Sequence, residues 1–162
     1  MTRLLHIAVL ALLLTLAACS NDSCYDNGSS LPLASFYLGT TQQSINGLSI
    51  MGIGVPGDSL LADGEALSEA YLPLRATTSS TSYAVWRTFT AGTDEIIVRD
   101  TITLNYKAVP YFHSIECGAM YNFDITGVSH TTHGIDSVVM LTSHVTNSRI
   151  PAMHIHFTDF SQ

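Results

Sequence analysis

Positive charge is scarce in this chain. Six Lys and Arg stand against 13 Asp and Glu in 162 residues, and charged residues of all kinds make up only 12%. A protein that holds a phosphate backbone needs clustered Lys and Arg, so nucleic-acid binding is excluded. Cysteine is also scarce, with three in all, and two thiols left after processing are too few for a metal site of their own. No apolar run reaches the roughly 20 residues that a bilayer-spanning helix requires. Sustained 3.6-residue periodicity is missing beyond the first 18 residues, as are internal repeats and any second domain. No G-x-S-x-G elbow occurs, and no Asp is followed three residues later by His. Serine-hydrolase chemistry of the two commonest kinds therefore lacks its parts.

What is present begins at the N-terminus. Arg3 gives a positive start, and Leu4 to Leu16 form an apolar stretch interrupted only by His6 and Thr15. Mean hydropathy is +0.27, and this stretch carries most of the excess. It is followed by Leu16-Ala17-Ala18-Cys19, which resembles a bacterial lipobox. In that motif small residues fit the lipoprotein signal peptidase, and the Cys sulfur is joined to diacylglycerol before cleavage. Residues 1–18 are thus expected to be a lipoprotein signal peptide, 19–30 a lipidated tether and 31–162 one folded domain. Ser20 follows Cys19 where an Asp would signal retention in the inner membrane, so the outer membrane is the expected address. Asp22 is the only acid before Asp26, a weak export cue, which favours the periplasmic side over the cell surface. With Cys19 acylated, Cys24 and Cys117 remain as an even pair in an oxidising compartment. They are expected to form a disulfide, with two separate thiols as the alternative.

The body reads as short strands between turn signals. Thr101 to Lys107 alternates cleanly: Ile102, Leu104 and Tyr106 fall on one face, and Thr101, Thr103, Asn105 and Lys107 on the other. Strands are also expected at 31–38, 45–53, 83–90, 111–117, 119–126, 135–146 and 149–158. Ala66 to Leu74 is read as a short helical turn leading into a strand, and the Ser/Thr run 77–82 as a solvated loop. About eight or nine short strands at this spacing predict an all-β, antiparallel β-sandwich or partly open barrel.

Several short motifs invite a functional reading. Gly52-Ile-Gly-Val-Pro-Gly57 spells the dinucleotide fingerprint, but no βαβ rhythm surrounds it. Gly57-Asp58-Ser59-Leu60 shares four letters with an esterase family, without the late base that would activate Ser59. Three Asp-Ser/Thr-aliphatic triplets, at Asp58, Asp100 and Asp136, resemble an O-glycosylation acceptor motif of exported Bacteroidota proteins. Histidine offers the only metal reading. His154 and His156 are two apart on an expected strand and so share a face, and His130 and His133 form a second pair. Zinc or copper requires a third ligand, which His144, Asp159 or Glu116 could supply if the fold converges. No cofactor is expected.

One arrangement of residues resembles a known group. A lipobox and Cys24 precede Leu31-Pro-Leu-Ala-Ser-Phe-Tyr37, and Leu72-Pro73-Leu74 ends a middle strand. Then comes Tyr106-Lys-Ala-Val-Pro-Tyr-Phe-His-Ser114, leading through Ile115-Glu116 to Cys117-Gly118 and Tyr121-Asn-Phe123. This is similar to a family of small Bacteroidota lipoproteins, a domain-of-unknown-function group. The resemblance implies a location and an architecture, makes Cys24 and Cys117 the pair to examine, and carries no activity. The expectation is therefore a non-enzymatic lipoprotein, anchored to the outer membrane, with a binding or structural role in the envelope. An outer-membrane β-barrel is the expected kind of partner, with exposed sheet edges and the Tyr- and Phe-rich segment 111–123 as contact surfaces. The alternative is a metal-binding or metal-sensing lipoprotein built on His154, His156, His130 and His133.

Overall fold

Alternation of apolar and polar side chains sets most of the strands. The computed structural model describes residues 30–54, 60–115 and 117–160. Among them are eleven strands and no helix. In chain order these are β1 (Leu33–Leu38), β2 (Thr41–Gln42), β3 (Ile45–Ile53), β4 (Leu60–Leu67), β5 (Glu69–Tyr71) and β6 (Ser80–Ala91). They continue with β7 (Asp94–Ser114), β8 (Gly118–His130), β9 (Ile135–Met140), β10 (His144–Val145) and β11 (Pro151–Phe157). The signal segment, Cys19, Cys24, Ser59 and Glu116 lie outside the described residues.

The strands form two sheets. The smaller runs β2-β1-β11-β9, with β5 also paired to β1; the larger runs β10-β8-β7-β6-β3-β4. Their inner faces meet in one core, with Phe36, Ile155 and Phe157 from the smaller sheet against Leu48, Ile50, Tyr83, Ile102, Leu104 and Phe123 from the larger. The β7 alternation holds as expected: Ile102, Leu104 and Tyr106 are buried, while Asn105 and Lys107 are exposed. A fully buried aromatic or branched side chain contributes about 1.5–3 kcal/mol through its removal from water, so this single face supplies much of the cohesion of the larger sheet.

Three expectations change. The pairings are antiparallel except that of β1 with β11, which is parallel. These strands lie near opposite ends of the chain, so no hairpin obliges them to run in opposite directions. Ala66 to Leu74 forms no helical turn. Leu67 ends β4, and Glu69–Tyr71 is instead captured by the open edge of β1, reinforced by hydrogen bonds from Phe36 N to Ser68 O (2.9 Å) and Leu72 N to Pro32 O (2.9 Å). The Ser/Thr run is partly strand: Thr81 is buried with its hydroxyl 2.7 Å from Tyr106 Oη, and Ser82 Oγ lies 2.8 Å from Thr103 Oγ1 across the β6–β7 ladder. Hydroxyls paired in this way meet their hydrogen-bonding needs without water, which composition alone does not reveal.

One glycine is fixed by close approach. Gly47 has φ +65°, and a Cβ built there would lie 2.1 Å from the Thr88 carbonyl oxygen. It marks an irregularity in the β3–β4 register and lets β3 lie flat against β6.

Candidate interaction surface

Length differences between neighbouring strands leave the end of β7 and the start of β8 extending past their neighbours. β7 is 21 residues long, but β6 pairs with it only from Asp94 to Asn105. The last link on that side is Tyr106 N to Ser79 O at 2.9 Å. Beyond it β7 is paired only with β8, through Ser114↔Gly118. β8 in turn pairs with the short β10 only at Phe123 and Asp124. Residues 107–114 and 118–122 thus form a two-stranded ribbon, and no strand among the described residues pairs with its outer edges. Pro110, which cannot donate to a ladder, fits such a position.

The ribbon carries apolar side chains on both faces. Pro110↔Tyr121 and Phe112↔Ala119 continue the face that is buried further back, while Tyr111↔Met120 lie on the other. Phe112 is 69% exposed and Ile115 89%; Val109 and Tyr121 are also exposed. From Ala108 to Phe123 the sequence contains one fixed charge, Glu116. Exposed strand edges are ordinarily blunted by charge, and this ribbon departs from that rule.

The chain comes in beside this ribbon. Ser30 is buried and its hydroxyl donates to Asn122 Oδ1 at 2.8 Å. Ser30, Leu31, Leu74, Ala76, Tyr121 and Phe123 line a mainly apolar cavity of about 270 Å³ beneath the ribbon. Other exposed apolar side chains are at the same end of the sandwich. Ile53 and Leu60 flank the β3–β4 connection there, and Ile150 sits just before Pro151, which pairs with Leu33.

The histidines named as metal ligands fall in three separate places. His154 and His156 do share a face of β11, with ring centroids 6.3 Å apart and Tyr37 against both, at 4.5 and 4.9 Å. His156 Nδ1 is 2.8 Å from the Gly39 carbonyl oxygen, so that nitrogen donates. Burial, with the His156 ring adding to it, lowers the His154 pKa and so favours the neutral imidazole. His130 ends β8 opposite Ile102, and His133 lies in the following turn with Nδ1 3.1 Å from Asp100 Oδ1. His144 pairs instead with Asp124, Nδ1 to Oδ1 at 2.5 Å. No group of three His, Cys, Asp or Glu that could hold a metal occurs among the described residues. The convergence needed for the metal alternative is therefore absent there, because β8 and β11 belong to different sheets.

Asp100 is the polar residue that sequence reasoning passed over. It is 4% exposed and accepts from Thr131 Oγ1 (2.5 Å), His133 N (2.9 Å), Gly134 N (2.7 Å) and Ile135 N (3.0 Å). It thereby fixes the turn that carries the chain from β8 in one sheet to β9 in the other. Burial alone would raise its pKa, but the donors outweigh that and hold the carboxyl below its usual range. A signal was present: Asp100 occupies the same inward parity as Ile102 and Leu104, where an acid must find donors. The same observation bears on the sugar-acceptor triplets. Asp100 is committed to this turn, Asp136 accepts from Thr158 Oγ1 at 2.6 Å, and Asp58 lies outside the described residues.

A family model described as a family of unknown function, DUF6452, matches residues 47–157, from within β3 to the end of β11. No curated protein and no solved structure matches the chain.

Proposed function

The chain belongs to the DUF6452 family, and we propose that it is a Bacteroidota lipoprotein anchored to the outer membrane, with a non-catalytic binding or structural role in the envelope. The observation that carries this reading is Leu16-Ala17-Ala18-Cys19 at the end of a short apolar stretch opened by Arg3. Two or three acyl chains on Cys19 give stable attachment where a single chain would be marginal. The domain then lies on the periplasmic side, as an accessory to another envelope component such as an outer-membrane β-barrel. The bare ribbon edges and the apolar residues at the Ser30 end support a role through contact rather than catalysis.

A disulfide between Cys24 and Cys117 belongs to the same reading. Ser30 is hydrogen-bonded to Asn122, and six residues separate Cys24 from Ser30, a reach of about 20 Å at full extension. Cys117 stands five residues before Asn122 on the same strand end, about 17 Å away at strand spacing, so the bridge is within reach.

The test is Cys19→Ser in the native host, with radiolabelled palmitate incorporation and membrane fractionation. Loss of label together with release from the membrane is the expected result. Unchanged labelling and fractionation would overturn the anchor. Cross-linking from intact membranes should then recover a stoichiometric envelope partner, and repeated recovery of the protein alone would count against the accessory role.

A further inference from the structure

The proposed anchor and the bare ribbon are at the same end of the molecule, and this placement suggests what covers the ribbon. We propose that the tip of the β7–β8 ribbon, through Phe112 and Ile115, seats in the phospholipid headgroup layer as a second membrane contact. This inference rests on the lipid-anchor reading above.

The argument begins with chain length. Ser30 is held against Asn122 in the ribbon, and Cys19 is eleven residues earlier, so the acylated sulfur lies within about 40 Å of that point even at full extension. For an unconstrained chain, eleven residues give a mean span of only about 17–20 Å. If Cys24 is bridged to Cys117, the acylated residue is five residues from the ribbon tip, within about 18 Å of Cys24. Either tether holds this end of the sandwich close to the bilayer, and the other end, where Ile97 lies, faces away. Phe112 and Ile97 are separated by fifteen residues of β7, about 50 Å of strand.

The side chains suit lipid better than a protein groove. A partner adding a strand would need only an open edge, with polar outer positions tolerated. Here apolar groups occupy both faces and the turn, with Phe112 and Ile115 the two most exposed large hydrophobics of the ribbon. Tyr111 and Tyr121 flank them, and aromatic rings of this kind settle at headgroup depth. Depth is limited by the backbone. Unpaired N–H and C=O groups along the ribbon edges cannot enter hydrocarbon, and the Glu116 carboxylate in the sequence adds to that cost. The tip therefore rests in the interface rather than spanning it. Since the acyl chains already provide attachment, the added contact fixes orientation, holding the far end outward toward a partner.

The experiment uses the full-length acylated protein, purified in detergent and reconstituted into phosphatidylethanolamine–phosphatidylglycerol vesicles, with or without brominated acyl chains. Phe112→Trp and Ile115→Trp are made separately, with Ile97→Trp as the far-end control and Trp86 of the parent as background. A urea transition confirms that each variant is folded, and either ribbon variant suffices if the other is not. Blue-shifted emission and loss of intensity on brominated vesicles are expected at positions 112 and 115, with neither change at 97. Reporters at 112 and 115 that behave like the one at 97, in protein that carries palmitate and is vesicle-bound, would overturn the seating and leave the anchor reading intact. Shielding in native membranes without shielding in vesicles would assign the ribbon to a protein surface and overturn lipid as its occupant. Absence of palmitate would overturn the anchor reading, and this inference with it.

Discussion

Asp100 shows how one inward-facing acid becomes a structural requirement. Its two oxygens take donors from three consecutive backbone amides and one hydroxyl, and the buried Gly134 and Ile135 amides depend on it for their hydrogen bonds. In Asp100→Asn one acceptor becomes an amide that faces the Gly134 and Ile135 donors. The expected cost is about 2–4 kcal/mol of folding stability, as for other buried networks that lose a partner, measured as a lower urea midpoint. The pH dependence follows from the depressed carboxyl. A carboxylate whose folded pKa lies below its unfolded value stabilises the protein above the unfolded value, near 3.9. That contribution is lost as pH falls through the depressed folded value. The parent should lose stability more steeply than Asp100→Asn in that acidic window, and parallel curves would show that folding leaves the carboxyl's pKa unchanged.

At the scale of the element, β7 explains both what the sequence made legible and what it hid. Thr101 to Lys107 announced a half-buried strand because a packed sheet stood on only one side of it, and the side chains recorded that asymmetry. Nothing in the alternation showed where β6 would end, so the reading of two separate segments at 101–107 and 111–117 missed a single strand running from Asp94 to Ser114. The aromatic composition of 111–123 was legible in the sequence, but its shape as a ribbon extending past its neighbours depends on the registers of β6 and β10, which are tertiary facts. The histidines failed for the same reason: His154 and His156 are two apart in one strand and came out side by side, whereas His130 and His133 required knowledge of which sheet β8 joins. The ribbon gives a direct prediction. Phe112 and Ile115 contribute little to folding because they are solvent-facing. Phe112→Lys and Ile115→Lys should therefore shift the folding free energy by no more than about 0.5 kcal/mol. A larger loss in denaturant titrations would place these side chains in the core and remove them from any contact surface.

At the scale of the molecule, the described residues form two sheets closed by a parallel pairing of the first and last described strands, and this sets where a covalent link has most effect. β1 and β11 are separated by most of the described chain, and closing so long a loop carries an entropic cost. The hydrogen bond from Ser30 to Asn122 ties the start of the chain to the β7–β8 ribbon, but a single bond of that kind contributes only about 1 kcal/mol. A disulfide between Cys24 and Cys117 would join the same two regions, closing a loop of roughly ninety residues and restricting the unfolded chain by about 4–5 kcal/mol on the chain-entropy account. Protein folded under oxidising conditions should therefore resist alkylation of both cysteines, and treatment with a reductant should lower its urea midpoint, with a loss of folding free energy of that order. Cys24→Ser with Cys117→Ser should reproduce the reduced midpoint without further loss on reduction. Equal midpoints for oxidised and reduced protein would mean that the tether leaves the sandwich untied, and that packing around Leu31, Leu74 and Phe123 alone holds the first strand in place.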